Sequence, residues 1–164
     1  MTPYSDPVIS KYFDLIKSKT DVFRGFYQGD PIRIPDSSLP AIIISKAQTL
    51  AGQFSNAEDE HALALVLTVI TSIRADAGDF EGIAAGVASL YDILEGREED
   101  YKLKTTSVLH ILRNNLLVDV ANGLRTDLGT VTSVDYGMTL GKRAPEAWGV
   151  EGQIKFAAHL TQIR

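Results

Sequence analysis

HALALVLTVITSIRA, residues 61–75, followed by FEGIAAGVASLYDIL, residues 80–94, decides the fold. In the first segment Leu63, Leu65, Leu67, Val69, Thr71 and Ile73 alternate with the smaller Ala62, Ala64, Val66, Thr68, Ile70 and Ser72. Both sets are mostly apolar, as in a central strand covered on each side. Alanine and leucine would also suit a helix. The β-branched cluster Val66, Thr68, Val69, Ile70, Thr71 and Ile73 favours the strand, because stiff, branched side chains pack well on a pleated surface. In the second segment Phe80, Ile83, Ala84, Val87, Leu90, Tyr91 and Leu94 form one helical stripe, with Asp79 as its N-cap. Gly82 and Gly86 each weaken that helix by about 1 kcal/mol. They make sense where the helix presses closely on a sheet. Residues 75–79, ADAGD, connect the two.

Ser5 or Asp6 ahead of Pro7 marks a helix start, since proline loses nothing by lacking an N–H at the first helical position. Val8, Ile9, Tyr12, Phe13 and Ile16 then share a face, and Lys17 and Lys19 suit the negative helix end. Phe23–Gln28 is aromatic and β-prone, Gly29-Asp30-Pro31 reads as a turn, and IRIPDSSLP reads as a loop because of its two prolines. Ala41–Phe54 opens as a strand with Ile42, Ile43 and Ile44, and SNAEDE turns the chain into the next strand. GREED, residues 96–100, reads as a solvated acidic patch. Beyond it a second helix is expected over residues 104–120, with Val108, Leu109, Leu112 and Leu116 on one face. Leu128–Leu140 returns to β. GKRAPEAWG reads as a polar connection, and Val150–Arg164 as a half-exposed antiparallel strand that forms a hairpin with the run before it. Val150, Ile154, Phe156, Ala158 and Leu160 point one way along it.

At 164 residues, 45% apolar and 23% charged, the chain is expected to form a single domain over residues 1–164 with a core of its own. The absence of cysteine excludes disulfides, thiolate metal ligands and a thiol nucleophile. A formal charge of −5 argues against a protein that grips nucleic acid through phosphates. MTPYSDPVIS has no signal-peptide pattern, and the apolar run 62–73 is far shorter than the roughly 20 residues of a membrane helix. A soluble intracellular protein with no membrane and no specific nucleic-acid partner is the expectation.

Chemistry is sparse. Asp59, Glu60 and His61 are adjacent, but neighbours on a strand point to opposite faces. Nothing in the spacing relates His61, His110 and His159 as metal ligands. No phosphate loop, nucleophile elbow or calcium loop occurs, so no catalytic residue, metal or cofactor is expected. Thr139–Gly149 contains Lys142, Arg143 and the only tryptophan, Trp148. Arginine and tryptophan are over-represented among the few residues that dominate protein interfaces. Tyr27 and Arg33, with the two-proline loop around them, are a second candidate of the same kind.

The predicted order is helix, about three strands as a meander, packed helix, further helix, then a hairpin. It resembles the tail terminator and tail-completion (neck) proteins of tailed bacteriophages. The residues that carry the resemblance are Ala41–Phe54 and His61–Arg74 as sheet, Phe80–Leu94 as crossing helix and Gly149–Arg164 as closing strand. Leu103–Val120 departs from that pattern as an addition, and the loop Gly29–Pro40 is long for it. The resemblance implies an α+β fold, a mostly antiparallel sheet with helices packed on it. It further implies a structural virion protein, assembled in the host cytoplasm, that forms a homohexameric ring. Such a ring ends the tail tube and joins it to the head–tail connector, with tail tube protein and connector as partners. Lys142, Arg143 and Trp148 would then lie at contacts. One alternative is an intracellular module that takes a small ligand or partner helix between sheet and helix. Another is a hydrolase or transferase built around Glu60 and His61.

Overall fold

The apolar run at residues 61–73 is a strand, as its β-branched side chains require, and it is the middle of a seven-stranded sheet. The computed structural model describes residues 5–29, 31, 33–53, 57–73, 80–144 and 147–163, with 53, 80–83, 138–144 and 147–148 described by backbone alone. In chain order the elements are α1 (Pro7–Lys19), β1 (Gly25–Gln28), β2 (Ala41–Gln53), β3 (Glu58–Ile73), α2 (Phe80–Glu95), α3 (Val108–Asn114), β4 (Leu117–Asp119), β5 (Leu124–Thr126), β6 (Asp135–Ala144) and β7 (Ala147–Ile163). The fold is α+β. The strand order is β1-β2-β3-β7-β5-β4, with β6 also on β7. Every pairing is antiparallel except β1 with β2, so the strands before β3 are not a simple meander.

The sheet is staggered. β3 pairs with β2 from Gln53↔Asp59 to Ala41↔Ile70, and with β7 along its whole length. The other edge of β7 is shared: β6 takes residues 147–153, and β5 takes Ala158–Leu160. Between them the Asp127 N–H donates to the Ala157 carbonyl (2.9 Å) and the Ala157 N–H donates to Thr130 Oγ1 (2.8 Å). Backbone groups in the gap are thereby satisfied.

One face of the sheet carries the main core. Leu63, Leu65, Leu67, Val69 and Ile73 of β3 meet Ile42 and Ile44 of β2 and Val150, Ile154, Phe156 and Ala158 of β7, under α1, α2 and α3. The opposite face is covered in part. The loop of residues 33–40, the product of β1 pairing parallel with β2, lays Ile34 and Leu39 against Ala41, Ile43 and Ile70. Residues 67–71 are therefore buried on both faces, whereas Ala62, Ala64 and Val66 stay half-buried. Coverage of both faces along the whole run is corrected to coverage of its second half.

Asp6 caps α1, accepting from the Val8 N–H (2.9 Å) and the Ile9 N–H (3.2 Å), with Pro7 at the first helical position. Its carboxylate also takes the Lys46 ammonium, which fastens the helix start to β2. Burial works to raise the Asp6 pKa, but the Lys46 hydrogen bond and charge and the two helix amides outweigh it and hold it below the usual value. Tyr12, fully buried, shares a hydrogen bond between its hydroxyl and Thr126 Oγ1 (2.7 Å) and sets its ring edge-on to Phe156.

On α2, Gly86 is where the helix meets the sheet. A Cβ there would lie 3.1 Å from Ile73 Cγ1 and 3.1 Å from the Ser72 carbonyl, and the Thr71 hydroxyl donates to the Gly86 carbonyl (2.9 Å). The stripe of α2 is narrower than expected. Leu90, Ile93 and Leu94 are buried, while Ala84 and Tyr91 are exposed. Asp79 lies outside the described residues, as do the side chains of Phe80 and Ile83.

Three other expectations change. The second helix spans only Val108–Asn114, because the Asn114 and Asn115 side chains donate back to the His110 (3.1 Å) and Ile111 (2.9 Å) carbonyls and end it. Residues 117–119 then form β4. Residues 128–130 are a 3-10 turn and β6 begins at Asp135, so Leu128–Leu140 is strand only in its second part. The expected polar connection around 141–149 is mostly strand. The β6–β7 ladder resumes at Ala144↔Ala147, and Pro145 and Glu146 lie outside the described residues.

Candidate assembly surfaces

The interface residues expected from sequence do not converge on one patch. Lys142 and Arg143 belong to the last turn-ward residues of β6, and Trp148 stands opposite Ile73 in the β3–β7 ladder. Their side chains lie outside the described residues. Tyr27 is on β1 at the far edge, half-buried against the smaller core. Its ring covers Gly25, where a Cβ would come within 2.7 Å of Tyr27 Cε2. Arg33 is exposed in the adjoining loop. Strand order puts β1 and β6 on opposite sides of the β2–β3–β7 centre, so the two groups are separate surfaces.

A charged cluster not expected from the sequence spans three elements on the sheet face away from the main core. Glu60 Oε1 is 3.2 Å from Arg125 Nη2 and 3.2 Å from His159 Nδ1, and His159 Nε2 is 3.4 Å from Asp127 Oδ2. The Nδ1 contact is out of line for a hydrogen bond. His159 Nδ1 is buried with no hydrogen-bond partner, and Nε2 faces the Asp127 carboxylate. The cluster acts as a tie between β3, β5 and β7. Its only sequence signal is that His159 lies on the face of the last strand opposite Val150, Ile154, Phe156, Ala158 and Leu160, and bringing it to Glu60 needs the register Ala62↔His159. His61 points away from Glu60, as strand alternation demands. Among the described residues no group of three His, Asp or Glu side chains is arranged to hold a metal ion.

Large apolar side chains stand exposed where β2 ends, β7 ends and the β4–β5 hairpin turns. Leu50 is 60% exposed, Leu117 68%, Val120 71% and Ile163 83%. Val120 and Ile163 border an open groove of about 770 Å³ whose other walls include Pro7, Val8 and Lys11 of α1 and Leu124 and Leu160 of the sheet. Lys11 and Asp119 face each other across it at 3.7 Å. A second, shallower cleft of about 430 Å³ lies between α2 and β6, where Tyr91 and Tyr136 pack edge to face at 4.7 Å. Burial first, then the hydrogen bond to Glu95 and its charge, push the Tyr136 hydroxyl pKa upward.

No protein-family model matches the chain. No curated protein matches it either.

Proposed function

We propose that this protein is a structural, ring-forming component at the neck of a tailed bacteriophage, where it closes the tail tube and joins it to the head–tail connector. The observation that carries the reading is the exposed apolar pair Val120 and Ile163, which border one groove, with Leu117 exposed nearby on β4 and Leu50 exposed on the other side of the sheet at β2. Exposed apolar side chains grouped together mark protein–protein contact. A rigid sheet braced by α1 and α2 suits a load-bearing subunit, and the order of helix, long sheet strands and crossing helix is that of the family the sequence resembles. On this reading copies of the chain assemble as a hexamer, with tail tube protein and connector as the other partners, and the site of action is the virion.

Negative-stain microscopy of tail tubes incubated with the purified protein tests this. Rings seated on tube ends are the expected outcome, and tubes left bare at saturating protein overturn it. One observation favours a second reading, a module that takes a partner helix or small ligand: the open groove between α1, the β4–β5 hairpin and the end of β7. That reading requires a monomer with the groove filled.

A further inference from the structure

We propose that the outer edge of β2, residues 45–53, is a docking edge onto which the outer edge of β6 from a second copy adds as a further antiparallel strand. This deepens the ring reading and rests on it. At the end of the sheet where β3 begins, the strands run β2–β3–β7–β5–β4, and β1 has already stopped, since it reaches only Ile44. At the other end they run β1–β2–β3–β7–β6. Among the described residues, β2 beyond Ile44 and β6 therefore each have one partner strand, at diagonally opposite corners.

The ladder fixes which backbone groups face outward. Pro40 and Ile44 accept from Arg24 and Gly29 on the β1 side, so even-numbered residues point away from β3 there. A bulge between Lys46 and Gln48 shifts the register by one, and a one-residue shift reverses the parity. Thr49 and Ala51 then direct their N–H and carbonyl groups outward, while Gln48 and Leu50 bond to β3. On β7 the Thr161 N–H donates to Gly123 and the Ala157 carbonyl accepts from Asp127, so odd residues face away from β3. Through the pairs Gly137↔Glu151 and Asp135↔Gln153 the outward groups of β6 are those of Tyr136 and Met138.

An unpaired strand edge is a template for another strand, and natural edges are usually blocked by charge or proline. Residues 45–53 contain no proline and a single charge, Lys46, which is tied to Asp6. β2 and β6 run in opposite directions within one copy, so identically oriented neighbours meet as an antiparallel pair. Because two different edges join, the contact is head-to-tail, the kind that closes rings. The diagonal offset staggers each copy along the strands, as closing a sheet on itself requires.

Thr49→Pro removes an outward N–H and leaves the β3 ladder intact, and Met138→Pro does the same on the other edge. Each variant alone is expected to be monomeric, with the melting temperature of a wild-type copy that has been diluted to monomer. Mixed one to one they form a heterodimer of twice the 17.9 kDa chain mass, because each retains one working edge. A ring that persists in Thr49→Pro overturns this contact and leaves the ring itself standing. A homodimer of Met138→Pro overturns it in favour of β2 pairing with β2, and a monomeric wild type overturns both ring and contact. Amide hydrogen exchange on the wild-type assembly is independent of whether the variants fold. Protection of Thr49 and Ala51 is expected, and free exchange at both overturns the proposal.

Discussion

Removing the Tyr12 hydroxyl tests how α1 is held to the sheet. The phenol oxygen and Thr126 Oγ1 are 2.7 Å apart, both residues are buried, and the bond joins positions far apart in sequence. Tyr12→Phe leaves the Thr126 hydroxyl without this partner, and Thr126→Val strands the phenol, each at a cost of about 1–3 kcal/mol. Replacing both with apolar groups of the same shape is nearly neutral. The double variant is therefore expected to unfold at higher denaturant than either single variant, with a coupling of about 2–6 kcal/mol, the sum of the two single losses. Independent sites add to within about 0.5 kcal/mol. For a chain of this size each kcal/mol moves the melting temperature by roughly 2–4 °C. Burial also pushes the Tyr12 pKa from 10.0 up to about 12, against the lowering effect of the Thr126 hydrogen bond. Above pH 10 the unfolded chain loses this proton while the folded one keeps it. The contribution is full below pH 10 and is lost as pH rises towards 12, by about 1.4 kcal/mol per pH unit. Urea titrations of wild type and Tyr12→Phe across that range should show the steeper decline in wild type. Additive single-variant losses and identical alkaline slopes would refute the buried bond.

Asp6→Ala removes the cap of α1 and the partner of Lys46, at an expected cost of about 1–2 kcal/mol in denaturant unfolding. Because the Asp6 pKa is lowered on folding, this contribution is present above 3.8 and is lost as pH falls through the folded value, so wild type and variant should converge in acid. Gly152→Ala drives a Cβ into Leu94 and within 3.2 Å of the Tyr136 ring, and should cost about 1–3 kcal/mol. Gly137→Ala, which meets nothing within 4 Å, is its control and should be near neutral. Glu60→Gln cuts the pairs to Arg125 and His159 at a partly exposed site and should cost less than about 1 kcal/mol by the same titration. A larger loss would mean that the cluster supports more than the local tie.

Patterns that depend on neighbours in sequence were legible. Asp6-Pro7 announced a helix start, the β-branched run at 66–73 a strand, Gly86 a close approach, and residues 153–159 alternated as the buried and open faces of β7 do, whereas Glu151 beside Val150 is buried as well. What depends on pairing was not. The parallel β1–β2 contact, the bulge at Ala47 and the division of β7 between β5 and β6 are set by register, which local periodicity does not encode. Glu60 and His159 met only once that register was known. Residues 104–120 misled for a different reason: the apolar spacing continues past Asn115, but two asparagines bonding to preceding carbonyls end the helix first. The candidate surfaces were half visible. Composition drew attention to Arg143 and Trp148, whereas the exposed Leu50, Leu117, Val120 and Ile163 stand out only after the core has claimed its own apolar residues.

The mass of the purified wild-type protein in solution, from multi-angle light scattering over a range of concentrations, bears most directly on the assembly role. A closed ring at a fixed multiple of the 17.9 kDa chain, six copies in the reading given above, is the expected result. A single copy at every concentration would contradict it.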